Sequence, residues 1–168
     1  TRGLTLEEAI PLLAPLAEVL DHLHGLGIVH RDVKPDNIVV TPGGRPVLLD
    51  LGIAKDTSGG QEHTRAGVSM GTNAWMAPEQ ALDARAVSAA ADRYALGLVA
   101  YRLLAGRLPW PDGTTSEGIA VVKAMGQLQS LATLRPDVPG HVAAAVRTML
   151  SVAPGERFAT CAAFVEAL

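Results

Sequence analysis

The 168-residue sequence has few aromatic side chains and a single cysteine. Aromatic residues make up 4% of the chain, and Cys161 is its only thiol. Neither an internal disulfide nor a cysteine zinc cluster can therefore form, and we expect a reducing, cytoplasmic location. With 48% hydrophobic residues and 27 alanines, the core must consist mainly of aliphatic side chains and alanine. That composition excludes a disordered chain and suits close-packed helices better than a β-sandwich.

A surplus of positive charge and long apolar runs are also absent. The formal net charge is −3, whereas domains that grip nucleic acid usually carry a basic surplus, so nucleic acid is not an expected partner. The most apolar stretch, residues 94–104, is interrupted by Arg102 and is shorter than the ~20 residues that span a bilayer. The chain begins at Thr1 without a basic-then-apolar leader. We therefore expect the chain to be a piece of a longer polypeptide. Whether that parent protein has a membrane anchor elsewhere stays an open question.

The first predicted element is a helix that begins after Thr5. Thr5 and Glu8 have the spacing of a capping box, and Gly25 or Gly27 ends the pattern. Apolar residues follow at helical spacing: Leu12, Leu16, Val19 and Leu23. Pro11 and Pro15 lie inside this run, and because each removes a helix hydrogen bond, we expect them to kink or shift the helix.

The remainder of the pattern predicts short strands followed by helices. Aliphatic runs indicate strands at 28–29, 38–40 and 47–49, and the turn-forming residues 41–46 predict that the last two strands pair as a hairpin. Residues 55–74 have no periodicity and are predicted to form a long loop, which in a compact domain is usually functional. Further helices are predicted at 89–104, 116–134, 142–150 and 159–168.

Three motifs, in a fixed order along the chain, indicate a catalytic site. The segment His30-Arg-Asp-Val-Lys-Pro-Asp-Asn37 lies between the first two predicted strands, Asp50-Leu-Gly52 follows the third, and Ala77-Pro-Glu79 lies downstream. Any short Asp-Gly or Asp-Asn pair is usually a turn. His, Arg, Asp, Lys, Pro and Asn at these fixed offsets seldom coincide by chance.

With these motifs, the chain resembles the catalytic domain of eukaryotic-like protein kinases, and most closely the bacterial Ser/Thr branch. The resemblance runs over residues 1–168 and implies an α+β, protein kinase-like fold: a mostly helical C-terminal lobe with a few short strands. Neither a G-x-G-x-x-G loop nor a Val-Ala-Ile-Lys strand is present. The resemblance therefore implies that the N-terminal lobe is missing and that this fragment alone is inactive.

The resemblance implies roles for five residues in transfer of the ATP γ-phosphate. Asp32 would accept the proton of the substrate hydroxyl, and Lys34 would direct its ammonium at the transferring phosphate. Asn37 and Asp50 would hold Mg²⁺ that bridges the ATP phosphates, since hard oxygens suit a hard cation. Val39 would form part of the floor under adenine; alternatively, it is only a strand residue.

The same resemblance implies a substrate and a mode of regulation. Lys34-Pro35 indicates that the substrate is a Ser or Thr hydroxyl on a protein. Thr72 would bond the catalytic Asp and Lys and shape the substrate groove, or it is an ordinary loop hydroxyl. Arg31 would pair with a phosphate on the activation loop, with Thr64 the candidate for autophosphorylation, or Thr64 is a plain exposed side chain.

Other matched residues are expected to be structural. Glu79 and Arg157 would form a buried ion pair. Asp92 would hold the backbone of the catalytic loop, or it merely caps a helix. Gly52 would permit a backbone bend where a side chain would clash, and His30 would pack and hydrogen-bond in the core rather than do acid–base work.

Two other functions remain open. A pseudokinase or scaffold would keep the fold without transfer, although the intact polar residues argue against it. A small-molecule phosphotransferase is disfavoured by Lys34-Pro35 and by Ala77-Pro-Glu79, which belongs to a protein-substrate groove. The other histidines show no metal spacing with a carboxylate and are interpreted as surface or helix residues: His22, His24, His63 and His141.

Overall fold

The computed structural model describes residues 2–49, 74–82 and 87–168, and it opens with helix α1 (Leu6–Gly25). The predicted capping box is present: Glu8 N–H donates to Thr5 Oγ1 at 3.3 Å, and Thr5 N–H donates to Glu8 Oε2 at 2.8 Å. Pro11 and Pro15 do not interrupt the helix, which continues over 20 residues. Each proline lacks one helix hydrogen bond, and the bonds on either side carry the helix past both positions.

A two-stranded antiparallel hairpin follows α1. Strand β1 (Ile38–Val40) pairs with β2 (Pro46–Leu48) so that Val39 lies opposite Val47. The predicted hairpin is confirmed, with its second strand one residue earlier than expected. The prediction of a strand at 28–29 is wrong. Ile28 N–H donates to the Leu23 carbonyl at 2.9 Å, so this segment closes the C-terminal turn of α1 instead of joining a sheet.

Helix α3 (Ala89–Ala105) is the centre of the core. Ser88 caps its first turn, and Gly106 ends it in the left-handed conformation with φ of 76°, which glycine adopts without steric cost. Both ends agree with the helix predicted at 89–104. Although α3 is buried along most of its length, none of the described helices is both long and apolar enough to cross a membrane.

The structure describes five more helices. They are α2 (Pro78–Leu82), α4 (Ser116–Ala124), α5 (Leu131–Leu134), α6 (Gly140–Met149) and α7 (Cys161–Glu166). The single helix predicted over 116–134 is wrong, because Gly126 takes a left-handed φ of 65° and separates α4 from α5. The two C-terminal helices are confirmed: α6 begins two residues earlier and ends one residue earlier than predicted, and α7 is shorter than predicted. Thr160 caps α7 through its hydroxyl, which accepts Ala163 N–H.

The buried face of α1 differs from the predicted apolar spacing. Its buried residues are Ala9, Leu13, Leu16, Ala17 and Leu20, whereas Val19 is exposed. Helix α1 packs against α3 and α7. The contacts with these partners select which of the several apolar rows on α1 faces inward, and this choice brings the end of α1 close to α3.

Candidate active site

The predicted catalytic segment, His30 to Asn37, connects α1 to the hairpin. It runs in an irregular conformation to a 3₁₀ turn at Pro35–Asn37, which leads directly into β1. Pro35 suits the first position of this turn because its φ is already fixed near the required value. The segment thus leads from the end of α1 directly into the hairpin.

Asp32, Lys34 and Asn37 meet at one carboxylate. Lys34 Nζ donates to Asp32 Oδ2 at 3.0 Å, and the Asp32 side chain is 17% exposed. Asn37 Nδ2 donates to the Asp32 backbone carbonyl at 2.8 Å and to Asp32 Oδ2 at 3.1 Å. The structure thus brings together three of the four polar residues that the sequence implicates.

The orientation of the Asn37 amide leaves an oxygen for a cation. Because its nitrogen makes both bonds to Asp32, its Oδ1 lies on the other side of the amide group. An amide oxygen is a suitable Mg²⁺ ligand, so Asn37 fits the expected metal. The other predicted ligand, Asp50, lies outside the described residues, as do Gly52, Thr64 and Thr72.

Asp92 supports the catalytic segment from α3. Its Oδ2 accepts His30 N–H at 2.8 Å, and its Oδ1 accepts Arg31 N–H at 2.8 Å. The carboxylate is 1% exposed, and the helix cap itself is made by Ser88. Of the two interpretations of Asp92, this geometry favours the one in which it holds the loop backbone.

His24 is a third partner of Asp92 that the sequence did not reveal. His24 and exposed His22 both lie on α1, but the His24 ring is largely buried and its Nε2 lies 2.9 Å from Asp92 Oδ2. The partners are 68 residues apart. Only the packing of α1 against α3 identifies this contact.

His30 is buried and links two parts of the site. Asp32 N–H donates to its Nδ1 at 3.3 Å, so its Nε2 carries the proton and donates to the Leu49 carbonyl at 3.1 Å. Both ring nitrogens are thus engaged by backbone groups. This arrangement agrees with a packing role for His30 and joins the catalytic segment to the chain just after β2.

Arg31 has an unusual backbone conformation. Its φ is 69°, and no other non-glycine residue in the described ranges has a positive φ. Its carbonyl accepts Gln80 Nε2 at 3.4 Å, while Gln80 Oε1 accepts Ala77 N–H at 2.8 Å. Gln80 thereby connects the catalytic segment to the start of α2, a link that the sequence analysis missed.

Glu79 and Arg157 form a two-point ion pair. Arg157 Nη1 and Nη2 donate to the two Glu79 carboxylate oxygens at 2.6 and 2.8 Å. The guanidinium also donates to three backbone carbonyls, those of Ala90, Ser151 and Val152. The pair ties α2 to α3 and to the segment before α7.

Val39 lies on a largely exposed face of the hairpin. Its side chain is 48% exposed, and its partner Val47 is exposed as well. Two β-branched residues side by side form a small apolar surface next to Asn37. The structure therefore leaves Val39 accessible to a flat apolar ligand, as the adenine interpretation requires.

Lys123 of α4 is a buried charge that the sequence analysis also missed. It is 3% exposed, and its Nζ donates to the carbonyls of Ala74 and Met76 at 2.6 and 2.7 Å. Burial lowers the pKa of Lys123 to about 7. Ile119 and Lys123 share the buried face of α4, and this i, i+4 spacing is the one sequence signal that could have found it.

Comparisons with known proteins match the chain to one family. The family model described as protein kinase domain matches residues 2–167. Serine/threonine-protein kinase Pkn1 of Myxococcus xanthus is 40% identical over 166 residues, covering 95% of this chain and 23% of that protein. Serine/threonine-protein kinase PknA of Mycobacterium tuberculosis is 36% identical over 169 residues, covering 100% of this chain and 38% of that protein.

A solved structure shows the same fold. The crystal structure of the Mycobacterium tuberculosis PknI kinase domain is 31% identical, has a TM-score of 0.69, and is matched over 98% of this chain and 54% of that chain. The chain thus spans about half of that kinase domain and well under half of the two curated relatives. By its motifs, its fold and its relatives, the chain belongs to the protein kinase family and is similar to bacterial serine/threonine-protein kinases.

Proposed function

We propose that this chain carries the catalytic segment of a kinase that transfers the γ-phosphoryl group of ATP to Ser or Thr hydroxyls of proteins. The observation that carries the proposal is the convergence of Lys34 Nζ and Asn37 Nδ2 on the carboxylate of Asp32. Phosphoryl transfer depends on positioning and charge stabilisation more than on covalent help from the protein. A fixed carboxylate beside a fixed ammonium meets both requirements.

Each of these side chains has a role that its contacts support. Asp32, held on two sides, can orient a hydroxyl and accept its proton as the oxygen attacks. The Lys34 ammonium, 3.0 Å from that carboxylate, lies where it can also neutralise charge on a phosphate placed next to the hydroxyl. Both cationic and anionic groups are thus held in place before substrate binds.

Asn37 and Asp50 are the residues that would hold Mg²⁺, through the Asn37 amide oxygen and the Asp50 carboxylate. When bound, Mg²⁺ neutralises charge on the ATP phosphates. Val39 would support the adenine ring through its exposed apolar surface. Asn37 contributes twice, since its amide nitrogen also fixes the Asp32 carboxylate.

Regulation by phosphorylation is the second part of the proposal. We assign Thr64 as the autophosphorylated residue and Arg31 as its partner, because a phosphate carries about −1.5 to −2 charges and pairs well with a guanidinium. Thr72 is assigned to the substrate groove, where its hydroxyl would bond Asp32 and Lys34. Arg31 is well placed for a fixed contact, since Asp92 and Gln80 hold its backbone.

We further propose that activity needs an N-terminal lobe, because this chain has no glycine-rich phosphate loop and no strand lysine to orient ATP. The 168 residues alone should then bind ATP weakly, and micromolar affinity in a titration of this chain would refute the point. A cytoplasmic location is consistent with Cys161, a free and buried thiol.

The deciding experiment uses a longer protein in which this chain follows an N-terminal lobe. Asp32→Asn should abolish incorporation of phosphate into protein and into Thr64, measured with labelled ATP and mass spectrometry. Asp36→Asn, on the exposed side of the same 3₁₀ turn, is the matched control and should stay active. Persistent transfer by Asp32→Asn would contradict the assignment, and an inactive parent that still binds protein partners would favour the scaffold alternative.

A further inference from the structure

A cluster of three metal-ligating side chains lies away from the catalytic segment. Asp21 and His24 project from the last turns of α1, and Cys161 is the first residue of α7. One ligand atom from each residue lies within 4.8 Å of the others. The side chains come from points about 140 residues apart in sequence, so the cluster exists only because α1 packs against α7.

His24 presents an unpartnered nitrogen to this cluster. Its side chain is 10% exposed, and its Nε2 lies 2.9 Å from Asp92 Oδ2. Because a carboxylate can only accept, Nε2 carries a proton, and in the neutral ring Nδ1 therefore bears a lone pair. This Nδ1 is buried, has no hydrogen-bond partner among the described residues, and lies 4.0 Å from Asp21 Oδ1. An unpaired buried acceptor is costly, and a bound cation would account for it.

The Asp21 carboxylate is held by two hydrogen bonds and can still bind a cation. Its Oδ1 and Oδ2 accept the N–H groups of Cys161 and Ala162, each at 2.8 Å. Each carboxylate oxygen has a second lone pair that these bonds do not use. The Asp21 side chain is the most exposed of the three, so a water molecule could reach the cluster from its side.

Cys161 supplies the sulfur. It is fully buried, and burial, reinforced by the negative charge of Asp21, raises the pKa of its thiol. Without a cation the group is therefore a neutral thiol. A divalent metal would form a bond to the sulfur while the thiol proton leaves to solvent, as metal binding to cysteine generally requires.

We propose that Asp21, His24 and Cys161 bind one divalent metal ion, with zinc as the ion that their ligand set favours. Zinc takes nitrogen, sulfur and carboxylate oxygen in tetrahedral geometry at about 2.0–2.3 Å, and a modest approach of the three side chains with one water meets that requirement. The Asp92–His24 bond has the form in which a carboxylate fixes the tautomer and direction of a metal-binding histidine.

The site would fasten α1 to α7 and would act on Asp92 as well. A metal on Nδ1 holds the His24 ring and keeps its Nε2 proton directed at the carboxylate that supports His30 and Arg31. The ion would thereby stabilise the backbone of the catalytic segment indirectly, through His24 and Asp92. This inference does not depend on the proposed phosphoryl transfer.

Cobalt substitution tests the site directly. The chain, reduced and stripped of metal, is titrated with Co²⁺ and its absorption is recorded. We expect one equivalent to bind and to give a thiolate-to-cobalt charge-transfer band, which can come only from Cys161 because it is the single cysteine. Absence of this band in the unaltered, folded chain would overturn the proposal without any variant.

Variants and a second readout assign the ligands. Cys161→Ser should lose the charge-transfer band, and Asp21→Asn and His24→Ala should lose the rise in Tm that Zn²⁺ produces in the unaltered chain. His22→Ala, an exposed position on the same helix, is the matched control and should keep both signals. If His24→Ala and His22→Ala behave alike in a folded chain, the site is wrong.

Discussion

The carboxylate of Asp92 holds the backbone of Arg31 in a left-handed conformation. Arg31 N–H donates to Asp92 Oδ1 at 2.8 Å, and the φ of Arg31 is 69°. Such a conformation costs a non-glycine residue about 1–3 kcal/mol. Hydrogen bonds to a charged acceptor contribute about 1.5–3 kcal/mol each, and Asp92 makes them to both His30 and Arg31. The conformation therefore persists because Asp92 stabilises it.

Asp92→Asn should destabilise the fold and the catalytic segment together. An amide has only one acceptor oxygen, so one of the N–H groups that Asp92 now accepts would face an NH₂ group. We expect a loss of about 3 kcal/mol in the free energy of unfolding, measured by urea denaturation. Asp112→Asn, at an exposed position, is the control. A change in Asp92→Asn no larger than that of the control would contradict this account.

Substitution of Arg31 by glycine and by alanine should separate backbone strain from side-chain contacts. Both variants lose the guanidinium and all its contacts, but only alanine keeps a Cβ at the left-handed φ. Arg31→Gly should be the more stable of the two by about 1 kcal/mol. Thermal or urea unfolding of the pair provides the measurement, and a more stable alanine variant would show that φ is not strained in solution.

Glu79→Gln should cost far more than loss of a surface ion pair. The Arg157 guanidinium is fully buried and makes two bonds to Glu79, so removal of the negative charge leaves an uncompensated buried cation. We expect a loss of about 3–5 kcal/mol in the free energy of unfolding.

The exposed pair of Arg135 and Asp137 provides the matched control for Glu79. Arg135 Nη2 lies 2.7 Å from Asp137 Oδ2, and the Asp137 side chain is 64% exposed. Asp137→Asn should change stability much less, since solvent already screens its charge. Equal losses for the two variants would show that the Glu79 pair is not effectively buried.

Lys123 should give stability a pH dependence in the alkaline range. Burial lowers its pKa from 10.5 to about 7 in the folded chain. Between these values the unfolded state binds one more proton, so the free energy of unfolding rises with pH. The contribution is fully present above the ordinary pKa and is lost as pH falls through about 7.

Lys123→Met isolates this contribution, because methionine keeps an apolar stem and does not titrate. The stability of the unaltered chain relative to the variant should increase from pH 6.5 to 9.5, at up to about 1.4 kcal/mol per pH unit. Urea denaturation at both pH values measures it. A difference that is independent of pH would mean that Lys123 stays charged through its contacts with Ala74 and Met76.

The local features of this protein could be predicted because neighbouring residues determine them. Thr5 and Glu8 form their capping box across three residues, and the turn residues at 41–46 bring β1 beside β2. The eight-residue segment from His30 carries its chemistry in contiguous sequence. The roles of Asp32, Lys34 and Asn37 remain predictions, but their proximity follows from short spacing and a single 3₁₀ turn.

Contacts between distant segments were decided only by tertiary packing. His24 and Asp92 are 68 residues apart, and Lys123 lies 49 residues from Ala74. Neither pair has a sequence pattern of its own, because a contact of this kind depends on which faces of α1, α3 and α4 turn inward. The sequence by itself determined the family, the hairpin and the motif from His30 to Asn37. The packed helices determined which charges are buried and what supports the segment, since burial is a property of the whole fold and not of any local pattern.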